Sequence, residues 1–381
     1  MKILFVSHSG RRSGGAQNVM FALIKHLMKM DIECHCIFPE HGRFYDEMVE
    51  YGVICHRVKF SWWAGFEMDT LYKIINYFLT IHSSTNEFVN IINKHNINLV
   101  ISNTITMSEG ALAARLCKIP HIWYVHEILS QDPKLKHMIK IEFLYPIMLQ
   151  LSEKIVVVSN AVKQEFIKYL GHYSDKIEVV YNGVATPNSP PASLVGYNVL
   201  SVGGICRRKG QYTLLKSAEI IINVIPKARF PLAGMFWEKE YSHLLLEERV
   251  RMGIERKFSF NKWTVDMDTY YQSGAVLVSP STVEAFGLSM LEGMAHGLPI
   301  VTTDSGGPSE IVVEGETGFI VPVNDEVRIA ERVLRLLENK ELARRMGLAG
   351  RKRVAEFFSQ DKFVNEFTNI IMGKGVAIGN T

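Results

Sequence analysis

"KILFVSHSGRRSGGAQNVMFALIKHLMK", residues 2–29, sets the architecture. Ile3 to Val6 is an unbroken apolar run, as expected of a strand covered on both faces. Ala16, Val19, Met20, Leu23 and Leu27 then recur at helical spacing. Between strand and helix lies a loop carrying Gly10, Gly14 and Gly15. The same alternation continues, with strands predicted over 33–38, 99–102, 121–126 and 154–159 and helices over 88–94 and 107–116. Strands alternating with helices at this spacing make a mostly parallel sheet flanked by helices.

The alternation breaks at "ATPNSPPASLVGY", residues 185–197, whose prolines, asparagines and serines read as a linker. It then restarts. "NVLSVGG" (198–204) reads as a strand and "GQYTLLKSAEIIINVI" (210–225) as a helix. Strand "RFPLAG", a helix over 239–251, strand "KFSF", the helical "VDMDTYYQS" and strand "AVLVS" follow, then a glycine-rich helix and strand "PIVTT". The expected fold is α/β, with two Rossmann-like parallel-sheet domains facing a cleft: 1–185, 197–356, and a C-terminal helix at 357–381 packing back toward the first domain. Open parallel sheets bind ligands beyond the carboxyl ends of their strands.

Composition bounds the partners. With 381 residues, 47% hydrophobic and 21% charged, the chain has enough apolar content for two cores. Its formal charge of +3 excludes a basic nucleic-acid module, so any anionic ligand must be met locally. Cys34, Cys36, Cys55, Cys117 and Cys206 include no Cys-x-x-Cys pair and read as small hydrophobes in a reducing compartment. No signal peptide is expected, and no apolar run reaches the length of a membrane span. The expected location is cytoplasmic.

Four stretches sit at or just after strand ends. "SHSGRRSGGAQN" matches neither Gly-x-Gly-x-x-Gly nor the Walker motif, but Gly14 and Gly15 at a helix start can bring backbone amides to a phosphate. Taken alone, this loop reads more readily as a tight turn without ligand. "VGGICRRKGQ" places Arg207, Arg208 and Lys209 side by side, so water or an anion must offset their repulsion. In "SPSTVEAFGLSMLEGMAHGLPIVTTDSGGPSEIV", residues 279–312, the amides of Phe286, Gly287 and Leu288 open a helix and can point at a phosphate. Glu284 before it and Glu292 within it are acceptors suited to sugar and ribose hydroxyls. Leu288, Met290, Leu291 and Met294 mark that helix as mostly buried, so its carboxylates need partners. "WYVHE" ends a strand on His126 and Glu127. No metal site is expected: the sequence has no His-x-x-His, cysteine cluster or acidic pair at metal spacing.

These residues carry a resemblance over nearly the whole chain: the sequence is similar to the family 4 retaining glycosyltransferases of GT-B fold. Shared features are the Gly14–Gly15 pair, the strand ending in His126, and "SNAVKQEFIKYL" with "IEVVYNGV" between Ser159 and Val184. So are the Glu-x₇-Glu motif from Glu284 to Glu292, the Gly306–Gly307 turn with Glu310, and "EGETGFIV". The resemblance implies a metal-independent retaining hexosyltransferase that moves a sugar from a UDP- or GDP-sugar substrate, without a cofactor. The C-terminal domain would hold the donor and the N-terminal domain a glycan, lipid-linked or small-molecule acceptor. Glu284 would contact the transferred sugar, Glu292 the ribose, and Lys209 with an arginine the diphosphate. His126 would position the sugar without acting as general base. The family's arginine position holds Gly204 here. Arg207 is the expected substitute, with Arg208 the other choice. A nucleotide-sugar epimerase on the same scaffold and a non-catalytic nucleotide-sugar-binding protein are the competing functions.

For the acceptor side, "DPKLKHMIKIEFLYPIMLQL" (132–151) alternates Lys134, Lys136, His137 and Lys140 with apolar residues. On a helix this gives a basic side beside an apolar one and predicts weak, salt-sensitive contact of the N-terminal domain with the inner face of a membrane. A domain-packing helix with solvated lysines is the alternative. "KFSWWAGF" (59–66) adds aromatics that suit either an acceptor pocket or a core.

Overall fold

The computed structural model describes residues 1–11, 14–66, 70–132, 134–171, 174–261 and 266–373. The chain forms two compact units, Met1–Tyr181 with the chain from Val364 onward, and Asn182–Phe363.

The first unit holds strands β1 (Lys2–Ser7), β2 (Glu33–Phe38), β3 (Ile54–Arg57), β4 (Ala64–Phe66), β5 (Leu99–Asn103), β6 (His121–Val125), β7 (Leu135–His137), β8 (Lys154–Val157) and β9 (Ile177–Val179). Its helices are α1 (Gly15–Met28), α2 (Arg43–Glu50), α3 (Leu71–His95), α4 (Glu109–Leu116), α5 (Ile141–Leu151) and α6 (Asn160–Leu170). Seven of the strands form one parallel sheet in the order β3-β2-β1-β5-β6-β8-β9. Ile3 to Val6 are fully buried at its centre, which is why this run carries no polar alternation. From β1 the chain builds outward to β3 on one side, then returns to β5 on the other. The switch point between β1 and β5 is where such sheets bind ligands.

The second unit repeats the plan with β10 (Val199–Val202), β11 (Phe230–Ala233), β12 (Phe258–Asn261), β13 (Val276–Ser279), β14 (Ile300–Thr303) and β15 (Gly318–Val321). These order as β12-β11-β10-β13-β14-β15, so its switch point lies between β10 and β13. Helices α7 (Gln211–Val224), α8 (Lys239–Arg251), α9 (Met267–Gln272), α10 (Leu288–Ala295), α11 (Pro308–Ile311), α12 (Glu326–Glu338) and α13 (Lys340–Phe357) complete the unit. Helix α14 (Gln360–Ile371) starts there and ends in the first unit, where Phe367 lies edge-on to Tyr124 at 4.8 Å.

The proline-rich stretch is bound along the second unit. The backbone N–H of Ala192 donates to His296 O at 2.7 Å, and Arg351 donates to the carbonyls of Pro187 and Ser189. Ala192 and Leu194 are buried.

Two expectations for the first unit change. The single amphipathic helix expected over 132–151 does not form. Leu135–His137 is instead a strand paired antiparallel with Ala64–Phe66, and α5 starts only at Ile141. The backbone of the basic stretch finds hydrogen-bond partners in "WAGF", including Met138 N–H to Trp63 O at 2.9 Å, and this outweighs the helical pattern. Lys134, Lys136 and Lys140 stand exposed beside a small ribbon and share no helix face with Phe143 and Leu144. The helix expected over 88–94 runs back to Leu71, where Leu71, Tyr72, Ile75, Phe78 and Leu79 with Ile74, Tyr77 and Ile81 spread apolar residues around most of the helix and blur its amphipathic stripe.

Candidate functional site

At the second unit's switch point, β10 runs into Gly203 and Gly204, then a 3₁₀ turn Arg207–Lys209, then Gly210 and α7. Gly210 has φ +65°, and a Cβ there would lie 1.9 Å from Pro280 O. Only glycine lets this cationic loop rest on the loop after β13. That second loop is fixed in turn: Thr282 N–H donates to Arg208 O at 2.8 Å, Glu284 N–H to Ser305 O at 2.9 Å, and Gly307 N–H to Glu284 O at 2.9 Å.

The two loops bring Lys209, Arg208 and Glu284 together. Lys209 Nζ donates to Glu284 Oε2 at 2.5 Å, Ser281 Oγ donates to the same oxygen at 3.1 Å, and Arg208 Nη1 lies 3.9 Å from it. Arg208 Nη1 also donates to Val283 O at 3.0 Å. Burial pushes the Glu284 carboxyl up, but Lys209 and Arg208 outweigh it and hold the pKa below the ordinary carboxylate value. Arg207 is turned elsewhere. Its guanidinium lies 5.5 Å from the Tyr241 ring and 3.9 Å from Glu238, more than half exposed. Arg207, the expected substitute for the absent arginine, therefore does not lie beside Glu284, whereas Arg208, the other choice, does.

Gly204 has its own physical reason. A Cβ there would meet the Trp237 indole at 2.3 Å, so the ring occupies the space a side chain would need. The Gly204 carbonyl accepts from Gln211 Nε2 at 2.9 Å.

Gly287, at φ +117°, caps α10 with no side-chain cap hydrogen bond, so the cap residue itself covers none of the first amides of the helix. Phe286 is buried against Phe358. Glu292, one turn into α10, accepts from Tyr271 Oη at 2.7 Å. Burial raises its pKa above the ordinary value, with the Tyr271 hydrogen bond opposing. The arrangement offers two cations, a helix N-terminus and two acceptor carboxylates at one sheet edge, the set a diphosphate carrying hydroxyl-bearing groups requires.

In the first unit, His126 follows β6 and its Nε2–H donates to Asn103 Oδ1 at 2.9 Å. Asn103 ends β5, and its Nδ2 donates to Ala16 O at 3.1 Å, which ties His126 to the start of α1 where Gly14 and Gly15 sit. Beside Gly14, a Cβ would meet nothing within 4 Å, whereas at Gly10 it would strike Glu40 O at 2.1 Å. Gly10 is therefore a packing glycine, and Gly14 borders open space. Arg12 and Ser13 of this loop lie outside the described residues. Burial, and to a lesser degree His8, pushes the His126 pKa down to about 3. The ring is neutral near pH 7, a donor at Nε2. Trp63 is core, its Nε1–H donating to Ile105 O at 2.7 Å, while Trp62 lies edge-on to His8 at 6.1 Å. His8 and Asn103 were not singled out from sequence. The placement of His8 directly after β1 and of Asn103 at the end of β5 was the available signal.

Two family profiles match in succession: Glycosyltransferase Family 4 over residues 13–187 and Glycosyl transferases group 1 over residues 193–353. The chain belongs to glycosyltransferase family 4. An uncharacterized glycosyltransferase of Methanocaldococcus jannaschii is 28% identical over 96% of both chains. The alpha-maltose-1-phosphate synthase of Mycolicibacterium smegmatis is 26% identical over 91% of this chain and 92% of its own. Among solved structures, HepE of Anabaena in complex with UDP and glucose superposes with a TM-score of 0.81 at 19% identity, covering 98% of this chain and 99% of that one. The fold is therefore GT-B, and the protein is a glycosyltransferase. No described helix is long and apolar enough to cross a membrane.

Proposed function

We propose that this glycosyltransferase transfers a hexose, with retention of anomeric configuration and without a metal, from a UDP- or GDP-sugar to a glycan, lipid-linked or small hydroxyl acceptor. The observation that carries the reading is the Lys209–Arg208–Glu284 cluster at the switch point of the second unit. Lys209 and Arg208 take the place a metal would hold on the diphosphate and stabilise the charge that grows on it as the glycosidic bond breaks. Glu284 orients both cations and accepts from the transferred sugar, Glu292 accepts from the ribose, and the amides at Phe286, Gly287 and Leu288 face phosphate. In the same reading Gly14 and Gly15 approach the donor, and neutral His126, whose Nε2–H is held by Asn103, accepts a hydrogen bond from a sugar hydroxyl at Nδ1 and so positions the sugar. The leaving phosphate oxygen takes the acceptor proton on the face being attacked, so no side chain serves as general base. Arg207 is left outside the chemistry.

The test is turnover of labelled UDP- and GDP-sugars in the presence of a chelator, with the product anomer read by NMR coupling. Release of nucleoside diphosphate with an α-linked product from an α-donor supports the reading. An altered sugar still on the nucleotide identifies an epimerase, and binding without turnover a binding protein.

Peripheral membrane contact, first argued from the 132–151 stretch, rests on different residues. Along α3, Leu71, Tyr72, Ile75, Phe78 and Leu79 share one face and stand exposed, Tyr72 by 78%. Co-sedimentation with anionic vesicles should fall in Phe78→Asp. No co-sedimentation of the unaltered chain would remove the contact.

A further inference from the structure

We propose that His35, His56 and His95 form a zinc-binding site at the β3 edge of the first unit's sheet, separate from sugar transfer. The three come from β2, β3 and the last turn of α3, and their ligand atoms all lie within 4.8 Å of one another. The ring centroids form a near-equal triangle of 5.3, 4.8 and 4.9 Å. His35 Nδ1 is already 3.0 Å from His56 Nε2. Two nitrogens on one tetrahedral zinc, each about 2.0–2.1 Å from it, sit roughly 3.3 Å apart. The first pair is therefore at chelating distance, and the half-buried His95 needs only a side-chain rotation to close the set.

The surrounding hydrogen bonds set the ring orientation. Glu33 Oε1 lies 2.8 Å from His35 Nε2, and a carboxylate can only accept, so Nε2 carries the proton and the Nδ1 lone pair faces the other two rings. Glu33 is itself held by Lys2 Nζ at 3.0 Å. A carboxylate behind a ligating imidazole is the usual outer arrangement of a zinc histidine. On binding, the zinc replaces the His56 Nε2 proton that now points at His35 Nδ1, and His56 takes its neutral Nδ1–H form. His35 is fully buried, while His56 and His95 are partly open, which gives the ion an entry path and leaves its fourth position to water. The site would fasten edge strand β3 to β2 and to the end of α3. Sequence spacing hides it, because the ligands are separated by 21 and 39 positions and share no local motif.

The experiment is calorimetric titration of ZnCl₂ into the full, untagged chain after chelator treatment, with thermal unfolding in parallel and Co²⁺ as a spectroscopic substitute. The expected result is one saturable equivalent, a tetrahedral Co²⁺ spectrum, and a zinc-dependent rise in Tm. His56→Ala and His95→Ala should each weaken zinc at least 100-fold and remove the rise. His82→Ala, an exposed histidine on the same helix, should change neither. If a variant fails to fold, His95→Gln gives the same readout with the ring volume better conserved. Absence of saturable binding, or equal binding in the His56 and His95 variants, overturns the site.

Discussion

Lys209 and Glu284 should be coupled in stability as well as in function, and a double-mutant cycle measures it. Lys209 Nζ and Glu284 Oε2 are 2.5 Å apart, with side-chain exposures of 16% and 11%. Removing one partner of a well-buried pair costs about 3–5 kcal/mol, mostly because the other charge is left desolvated. Here both groups keep some solvent, and Arg208 at 3.9 Å with Ser281 at 3.1 Å still faces the carboxylate. These reduce the expected cost of Lys209→Ala to about 2 kcal/mol. Glu284→Gln leaves Lys209 and Arg208 facing each other without the carboxylate and should cost a similar amount. In the double variant neither desolvated charge remains, so the loss should be well below the sum, with a coupling energy of about 2 kcal/mol. Equilibrium urea unfolding of all four proteins supplies the numbers. Losses that add within about 0.5 kcal/mol would refute a pre-assembled cluster. Turnover should behave differently: Lys209→Ala should lose on the order of 10²-fold or more, and Glu284→Gln should not rescue it, because the diphosphate still lacks its cation.

Arg208→Ala should cut turnover on the order of 10²-fold, while Arg207→Ala should stay within about 3-fold, since only Arg208 faces Glu284; the reverse order in a steady-state assay would restore Arg207. Gly204→Ala should destabilise by about 1–3 kcal/mol through contact with the Trp237 ring, and Trp237→Ala in the same chain should relieve most of that, both read by thermal unfolding. Glu292→Ala should weaken free nucleoside diphosphate, whereas Glu284→Ala should weaken the intact donor more, and calorimetry showing equal losses for both ligands would contradict the division. His8, His121 and His126 have pKa values pushed down by desolvation to about 4, 3 and 3, so only the unfolded chain takes up protons as the pH drops below about 6.5. Stability should therefore fall on acidification, by up to about 1.4 kcal/mol per pH unit for each ring, and His126→Asn should flatten the slope.

How much of this was legible in the sequence follows from which interactions are local. The central strands of both sheets are buried on both faces, so continuous runs such as Ile3–Val6 and Val276–Val278 identify themselves. The glycines at 14 and 210 announce loops at helix starts for the same reason. Pairing is not local. Nothing within 132–151 says that Leu135–His137 will find Ala64–Phe66, more than sixty positions away, and the helical pattern there is used only from Ile141 onward. The first half of α3 hides for another reason: its apolar residues, from Leu71 to Ile81, cover most of the helix circumference and leave only a narrow polar face.

The arginine question shows where pattern stops and geometry takes over. Three adjacent cations, Arg207 to Lys209, are equivalent as a string, and the family's position at Gly204 offers no guide to its replacement. Two contacts decide it. Trp237 fills the space over Gly204, so no side chain can leave the chain from that point without moving the indole. The 3₁₀ turn then rotates the next cations in steps of about 120°, which sends Arg207 toward Glu238 and Tyr241 and brings Arg208 and Lys209 to the same carboxylate. The anchoring bonds from Thr282 to the Arg208 carbonyl hold that rotation in place. In the proposed reading Arg208, four positions after Gly204, supplies the guanidinium because the loop, and not the strand, presents it.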